Sequence, residues 1–143
     1  MSSYDPRDLI PHRPPFLLVD RIDALEPGVS GSGTFAVRAD LAILAGHFPD
    51  NPVLPGVYQV EAIAQLGAAV VLSDPRYRGS LPLFGGIDRA RFRRVVRPGD
   101  QLELTIEMTS LSARAGKGQG HARVAGELCA EVSLFFIIAP AGA

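Results

Sequence analysis

Two residues in the middle of the chain are of types that catalyse proton transfer. The first, His47, lies in a loop that holds three prolines between positions 49 and 55. A stiff loop that presents an imidazole, a group that titrates near neutrality, suits a general base. A histidine that only hydrogen bonds a backbone carbonyl in a tight loop fits the same local pattern equally well. The loop alone therefore leaves both interpretations open.

The second residue, Glu61, is the one charged residue in the apolar stretch 53–72. Burial of an unpaired carboxylate is costly, so its presence needs a reason. Tyr58 and Gln65 lie three residues before it and four after it, which places all three on one stripe of a helix. The stripe fits a structural polar network, but it favours a carboxylic acid kept protonated for proton delivery.

A base and a buried acid together suit the removal of a proton α to a carbonyl with loss of a β-leaving group. The predicted helix start at Gly56 offers N–H groups that can polarise that carbonyl. The sequence contains no nucleophile elbow, phosphate loop, dinucleotide fingerprint or metal-ligand spacing. Because a helix start separates His47 from Glu61, the two residues could meet within one chain or across a subunit interface.

The elements that position these residues are mainly strands. A helix is predicted over residues 56–72, apolar on nearly every side, and an alternating strand over 101–111. Further strands are predicted over residues 16–22, 32–38, 83–96 and 121–138. Short connections between the late strands favour antiparallel pairing. The pattern predicts an α+β fold in which a curved antiparallel sheet wraps around one helix.

Length and composition limit the remaining possibilities. A chain of 143 residues with 47% apolar residues predicts one globular domain over residues 1–143. The single cysteine, Cys129, excludes a disulfide framework, and the lack of a secretory segment predicts a cytoplasmic protein. The net charge of −1 argues against a nucleic-acid partner. Glu61 and two glutamines argue against a membrane span over 53–72.

The other two histidines, His12 and His121, lie in a rigid loop and at a predicted strand start, and we assign neither a catalytic role.

The sequence resembles the 3-hydroxyacyl-[acyl carrier protein] dehydratase (FabZ) family from about residue 9 to residue 138, and the resemblance rests on four stretches. They are LIPHRPPFLLVDR at 9–21, GHFPDNPVLPGV at 46–57, VEAIAQ at 60–65, and GIDRARFRR at 86–94 followed by PGD at 98–100. The resemblance implies a hotdog fold, a homodimer with active sites at its interface, and often a trimer of dimers. It also implies that no metal or organic cofactor takes part, since the phosphopantetheine arm belongs to the carrier-bound substrate.

The resemblance also implies roles for individual residues. His47 matches the family's catalytic histidine and Glu61 its catalytic glutamate, contributed to one site by different subunits. Gly56 matches the glycine whose N–H polarises the thioester carbonyl, and Gln65 the amide that supports the glutamate. We assign two further residues to substrate binding, Tyr58 and Phe48. Asp50 and Tyr58 differ from the residues that the family usually carries.

A basic stretch completes the sequence features. Residues 75–97 hold seven arginines and one aspartate. A solvated strand face would explain them, but a docking patch for an acidic carrier protein is the interpretation we favour. The predicted docking residues are Arg89, Arg91, Arg93, Arg94 and Arg97. Two alternatives to the dehydratase stay open, an acyl-thioesterase and a non-catalytic hotdog protein that binds acyl thioesters.

Overall fold

The computed structural model describes residues 3–48 and 50–140. Six antiparallel strands form one sheet in the order β1-β2-β4-β5-β6-β3. The two helices are α1 (Ala42–Gly46) and α2 (Gly56–Leu72). The strands are β1 (Arg21–Glu26), β2 (Ser30–Ala36), β3 (Leu81–Phe92), β4 (Gln101–Leu111), β5 (Ala115–Val124) and β6 (Glu127–Ala139).

Helix α2 is the centre of the core and contacts all six strands. Glycines allow this close approach, because an added Cβ at Gly120 would collide with Ile63. An added Cβ at Gly67 would lie 2.7 Å from the side chain of Ile106 and 2.8 Å from that of Phe136. None of the helices in the described residues is long and apolar enough to cross a membrane.

The structure confirms the bounds of the predicted helix and of strand β4. The prediction of one strand over 121–138 is wrong. Ala125 and Gly126 have φ angles of 50° and 81°, which form a tight turn between β5 and β6. The five-residue helix α1 was not predicted.

The predicted first strand, 16–22, is also displaced, because β1 begins at Arg21. Just ahead of β1, Asp20 donates its N–H to the carbonyl of Thr34 on β2, but the backbone before it bonds a side chain. Leu18 donates its N–H to the side chain of Gln65, and the carbonyl of Phe16 accepts a hydrogen bond from the same amide. This segment is therefore bound directly to α2.

Strand β3 forms one edge of the sheet, where it pairs with β6 on one side only. Apolar side chains along it are about half exposed, with Leu83 at 52%, Ile87 at 50% and Phe92 at 50%. A sheet edge with exposed apolar residues is a template for pairing with another chain.

Candidate active site

The amide of Gln65 is the link that organises the candidate site. The residue is buried on α2, and its Oε1 accepts the N–H of Leu18 at 2.8 Å. Its Nε2 donates to the carbonyl of Phe16 at 2.8 Å and to Oε2 of Glu61 at 2.9 Å. The segment before β1 therefore fixes the amide, and the amide fixes the glutamate.

Glu61 lies beside a cavity of about 290 Å³. Its side chain is 21% exposed, so the carboxyl faces a space that is only partly open to solvent. The hydrogen bonds made by the described residues engage Oε2 and leave Oε1 free. Apolar residues form most of the wall, among them Phe16, Ala64, Ala68, Leu81, Leu83, Phe84 and Phe136. An apolar acyl chain with a polar group at the carboxyl suits this lining.

His12 lines the same cavity, although no catalytic role is predicted for it from the sequence. Its Nε2 lies 3.9 Å from Oε2 of Glu61, and its ring stacks on Phe16 with centroids 6.4 Å apart. The contact joins a loop near the start of the chain to a helix about fifty residues later. No local spacing reveals such a contact, so periodicity could not have found it.

His47 follows directly after α1, where its loop folds back on itself. Its Nδ1 lies 2.9 Å from the carbonyl oxygen of Val53, so the neutral ring donates from Nδ1 and leaves Nε2 as the basic nitrogen. Phe48 packs on the His47 ring at 4.4 Å and is 62% exposed. Pro49, one of the three loop prolines, lies outside the described residues.

The structure does not bring His47 and Glu61 into one cavity within the chain. The described residues that line the Glu61 cavity do not include His47. Gly56, at the start of α2, lies instead against strand β3, because an added Cβ there would be 2.9 Å from the Phe92 ring. No side chain in the described residues caps this helix start.

Tyr58 is partly buried on α2 and meets the edge of the Phe16 ring, with centroids 6.3 Å apart. It therefore packs on the same residue as His12. The polar stripe predicted for α2 is present, but the hydrogen bonds to the Glu61 carboxyl come from Gln65 alone among the described residues.

The predicted basic patch is partly neutralised within the chain. Arg93 pairs with Glu131 at 2.7 Å, and its guanidinium holds the pKa of that carboxyl below the ordinary value. Arg94 lies 3.1 Å from Glu127, and Arg97 donates to the side chain of Asn51 at 2.7 Å. Of the five arginines, Arg89, Arg91 and Arg97 make no ion pair with a described residue, and Arg97 is bonded only to the neutral side chain of Asn51.

No cluster of three or more histidine, cysteine, aspartate or glutamate side chains with metal-binding geometry occurs in residues 3–48 and 50–140. Cys129 is buried and unpaired there, and its Sγ accepts a long contact of 3.8 Å from Arg94. It lies outside the Glu61 cavity.

Comparison with known proteins gives consistent matches. Residues 10–133 match the family described as the FabA-like domain. The curated 3-hydroxyacyl-[acyl-carrier-protein] dehydratase FabZ of Chloroflexus aggregans is 53% identical over 130 residues, covering 91% of this chain and 90% of its own. The protein of the same name from Symbiobacterium thermophilum is 49% identical over 134 residues, covering 94% of each chain.

Solved structures confirm the hotdog fold. A chain of the dehydratase heterocomplex ApeI:P from Xenorhabdus doucetiae superposes with a TM-score of 0.79 at 16% identity, over 97% of this chain and 93% of that one. A mutant of the phenylacetic acid degradation protein PaaI from Thermus thermophilus has a TM-score of 0.62 at 20% identity. It covers 81% of this chain and 90% of its own. At these identities the likeness concerns the fold alone.

Proposed function

The chain belongs to the FabA-like domain family, and on that premise we propose that it catalyses the reaction named for its FabZ relatives. It removes water from a 3-hydroxyacyl thioester carried by acyl carrier protein and gives a trans-2-enoyl thioester. The observation that carries the proposal is the Glu61 carboxyl, held through Oε2 by Gln65 beside an apolar cavity. The whole chain, residues 1–143, acts as one domain.

Two side chains move protons in the proposed reaction. Nε2 of His47 takes the proton from C2, and the electron pair of that bond forms the C2–C3 double bond. The C3–O bond breaks, and the departing hydroxyl takes a proton from Glu61 to leave as water. The N–H of Gly56 stabilises the negative charge that develops on the thioester oxygen. Tyr58 and Phe48 contribute to binding of the substrate.

A homodimer completes this site. Strand β3 has a free edge with exposed apolar residues, which suits pairing with β3 of a second copy. Gly56 lies against Phe92 on that same strand, so the start of α2 is close to the proposed interface. Because one chain does not join His47 to Glu61, we propose that each site takes the two residues from different subunits. A trimer of dimers remains a prediction from the resemblance.

The partner that delivers the substrate is proposed to be an acidic acyl carrier protein. Within the basic stretch, Arg89 and Arg91 are exposed and unpaired in the described residues, so they can best receive the carboxylates of a carrier. Arg93, Arg94 and Arg97 are already engaged by neighbours and contribute less.

We propose a cytoplasmic location and no cofactor beyond the carrier's phosphopantetheine arm. The unpaired and buried Cys129 fits a reducing compartment.

One assay tests the reaction. The purified protein is given a 3-hydroxyacyl carrier substrate, and the products are followed by mass spectrometry. We expect a carrier-bound product that is lighter by one water. Release of the carrier's free thiol would instead indicate an acyl-thioesterase, and binding without turnover would indicate an acyl-thioester-binding protein.

A second experiment tests the shared site. We expect His47→Ala and Glu61→Gln each to lower turnover by about 10³-fold as pure proteins. If the two inactive variants are unfolded together and refolded at equal amounts, half of the dimers carry one of each subunit. One of the two sites in such a dimer is intact, so roughly a quarter of wild-type activity should return. No recovery, despite mixed dimers detected by mass, would show that each site lies within one chain.

A further inference from the structure

We propose that His12 is a positioning residue that orients the Glu61 carboxyl, an inference that rests on the proposed acid role of Glu61. Nε2 of His12 lies 3.9 Å from Oε2, the same oxygen to which Gln65 donates. This gap is too long for a direct hydrogen bond, but a small approach of the side chains or one bridging water closes it.

The loop that carries His12 is held by the next residue. The guanidinium of Arg13 donates to the backbone carbonyls of Arg7 at 3.0 Å, Ile10 at 2.8 Å and His12 at 2.6 Å. Three carbonyls bound to one rigid guanidinium fix the backbone that leads up to His12. The stack on Phe16 then limits rotation of the imidazole ring.

The surroundings of the ring assign its proton to Nε2. Nδ1 is buried and has no hydrogen-bond partner among the described residues. A buried N–H without an acceptor is rarer and more costly than an unpaired acceptor, so the neutral ring carries its hydrogen on Nε2. That nitrogen faces Glu61, and His12 therefore presents a donor to the carboxyl.

Two donors on one oxygen determine where the carboxylic acid holds its proton. Oε2 accepts from Gln65 and faces Nε2–H of His12, so it acts as the carbonyl oxygen of the acid. The proton then resides on Oε1, which the described residues leave free for the substrate. The described cavity wall contributed by β3 and β6 holds no titratable side chain. Tyr58 lies on the same face of α2 as Glu61. In the proposed dimer, His47 of the partner subunit also faces Glu61.

The test combines His12 and Glu61 in a double-mutant cycle. His12→Phe keeps a ring on Phe16 but removes both nitrogens, and we expect kcat to fall about tenfold to a hundredfold. KM should change less than kcat, because the proposed role of His12 is to orient Glu61 and the phenylalanine ring keeps the apolar cavity wall. In a Glu61→Gln background, His12→Phe should lower the residual kcat no further, because His12 acts only through Glu61.

Several outcomes overturn the proposal. An unchanged kcat in His12→Phe, or an equal fractional loss in the Glu61→Gln background, would show that His12 does not act through Glu61. His121→Phe, the same change on β5 outside this cavity, is the control and should keep full activity. His12→Asn, whose amide is too short to reach Glu61, replaces His12→Phe in the cycle if that variant does not fold. Absence of dehydration by the wild-type protein would reject the proposed function itself.

Discussion

Helix α2 carries one carboxylate near its start, Glu61, and a second, Asp74, follows two residues after its end at Leu72. The two carboxylates have opposite surroundings. At the reactive end, defined by Glu61 and Gln65, a single amide engages Oε2. At the capped end, defined by Asp74 and Arg76, the guanidinium engages both oxygens, with Nη2 at 2.7 Å from Oδ2. The N–H of Arg76 adds a bond of 3.0 Å to Oδ1. Saturation of a carboxylate produces a structural cap, whereas a free oxygen beside a cavity remains available for chemistry.

The largest expected effect is on kcat, which should depend on Glu61 but not on Asp74. Glu61→Gln removes the acidic proton but retains the shape and an oxygen that can accept from Gln65. We expect kcat to fall by about 10³-fold, within the range for loss of a general acid. Asp74→Asn, the matched change at the capped end, should leave kcat within about twofold of wild type, since it is remote from the cavity. Steady-state rates of both variants decide the comparison.

The next prediction concerns Gln65, which belongs to the reactive end but also supports the fold. Gln65→Leu leaves the N–H of Leu18 and the carbonyl of Phe16 without their partner. We expect the free energy of unfolding to decrease by about 2–4 kcal/mol, measured by urea denaturation. Gln119→Leu, at an exposed position on β5, is the control and should change it by less than about 0.5 kcal/mol. Equal effects would show that the amide does not support the backbone.

A smaller effect on stability is expected at Gly28, in the turn between β1 and β2, which contacts Asp74 at the capped end. Gly28 has a φ of 74°, and an added Cβ would lie 2.7 Å from Oδ2 of Asp74. Gly126 has a φ of 81° with no described atom within 4 Å of an added Cβ, so it provides a matched control. Both alanine variants should lose about 1–2 kcal/mol from the left-handed backbone.

The contact with Asp74 should make Gly28→Ala less stable than Gly126→Ala by about 1 kcal/mol. Thermal melts of the two variants measure this difference. The kcat of each variant should equal that of the wild type. Equal melting temperatures would mean that the Asp74 side chain moves away from the added methyl group without a loss of stability.

The smallest effect is a dependence of stability on pH. Hydrogen bonds from Arg76 hold the pKa of Asp74 below its ordinary value of 3.8. Its contribution to stability is therefore fully present above that ordinary value and is lost as the pH falls through the lowered pKa. Thermal melts between pH 2 and 6 should show wild type and Asp74→Asn converging at the acidic end. A difference that stays constant with pH would contradict this.

How far the sequence could predict the molecule depends on the range of each interaction. The start of α2 and the alternation of β4 are local signals, and both were predicted correctly. The turn at Ala125 was not predicted, because a turn of two residues hardly interrupts the alternation of apolar residues along the last two strands. The contact of His12 with Glu61 joins residues 49 positions apart, and Gln65 bonds residues 47 and 49 positions earlier. No sequence pattern encodes such contacts.

The order of the strands has a kinetic consequence. Strand β3 precedes the β4–β5–β6 meander in the chain, yet it pairs with β6, the last strand, from Leu81 opposite Ala139 to Phe92 opposite Ala130. Closure of long loops slows such pairings relative to those of neighbouring hairpins. We therefore expect β3 to dock late, onto a meander that has already formed. The edge proposed to join two subunits therefore forms after the meander that supports it, and two subunits can pair there only once that meander is in place.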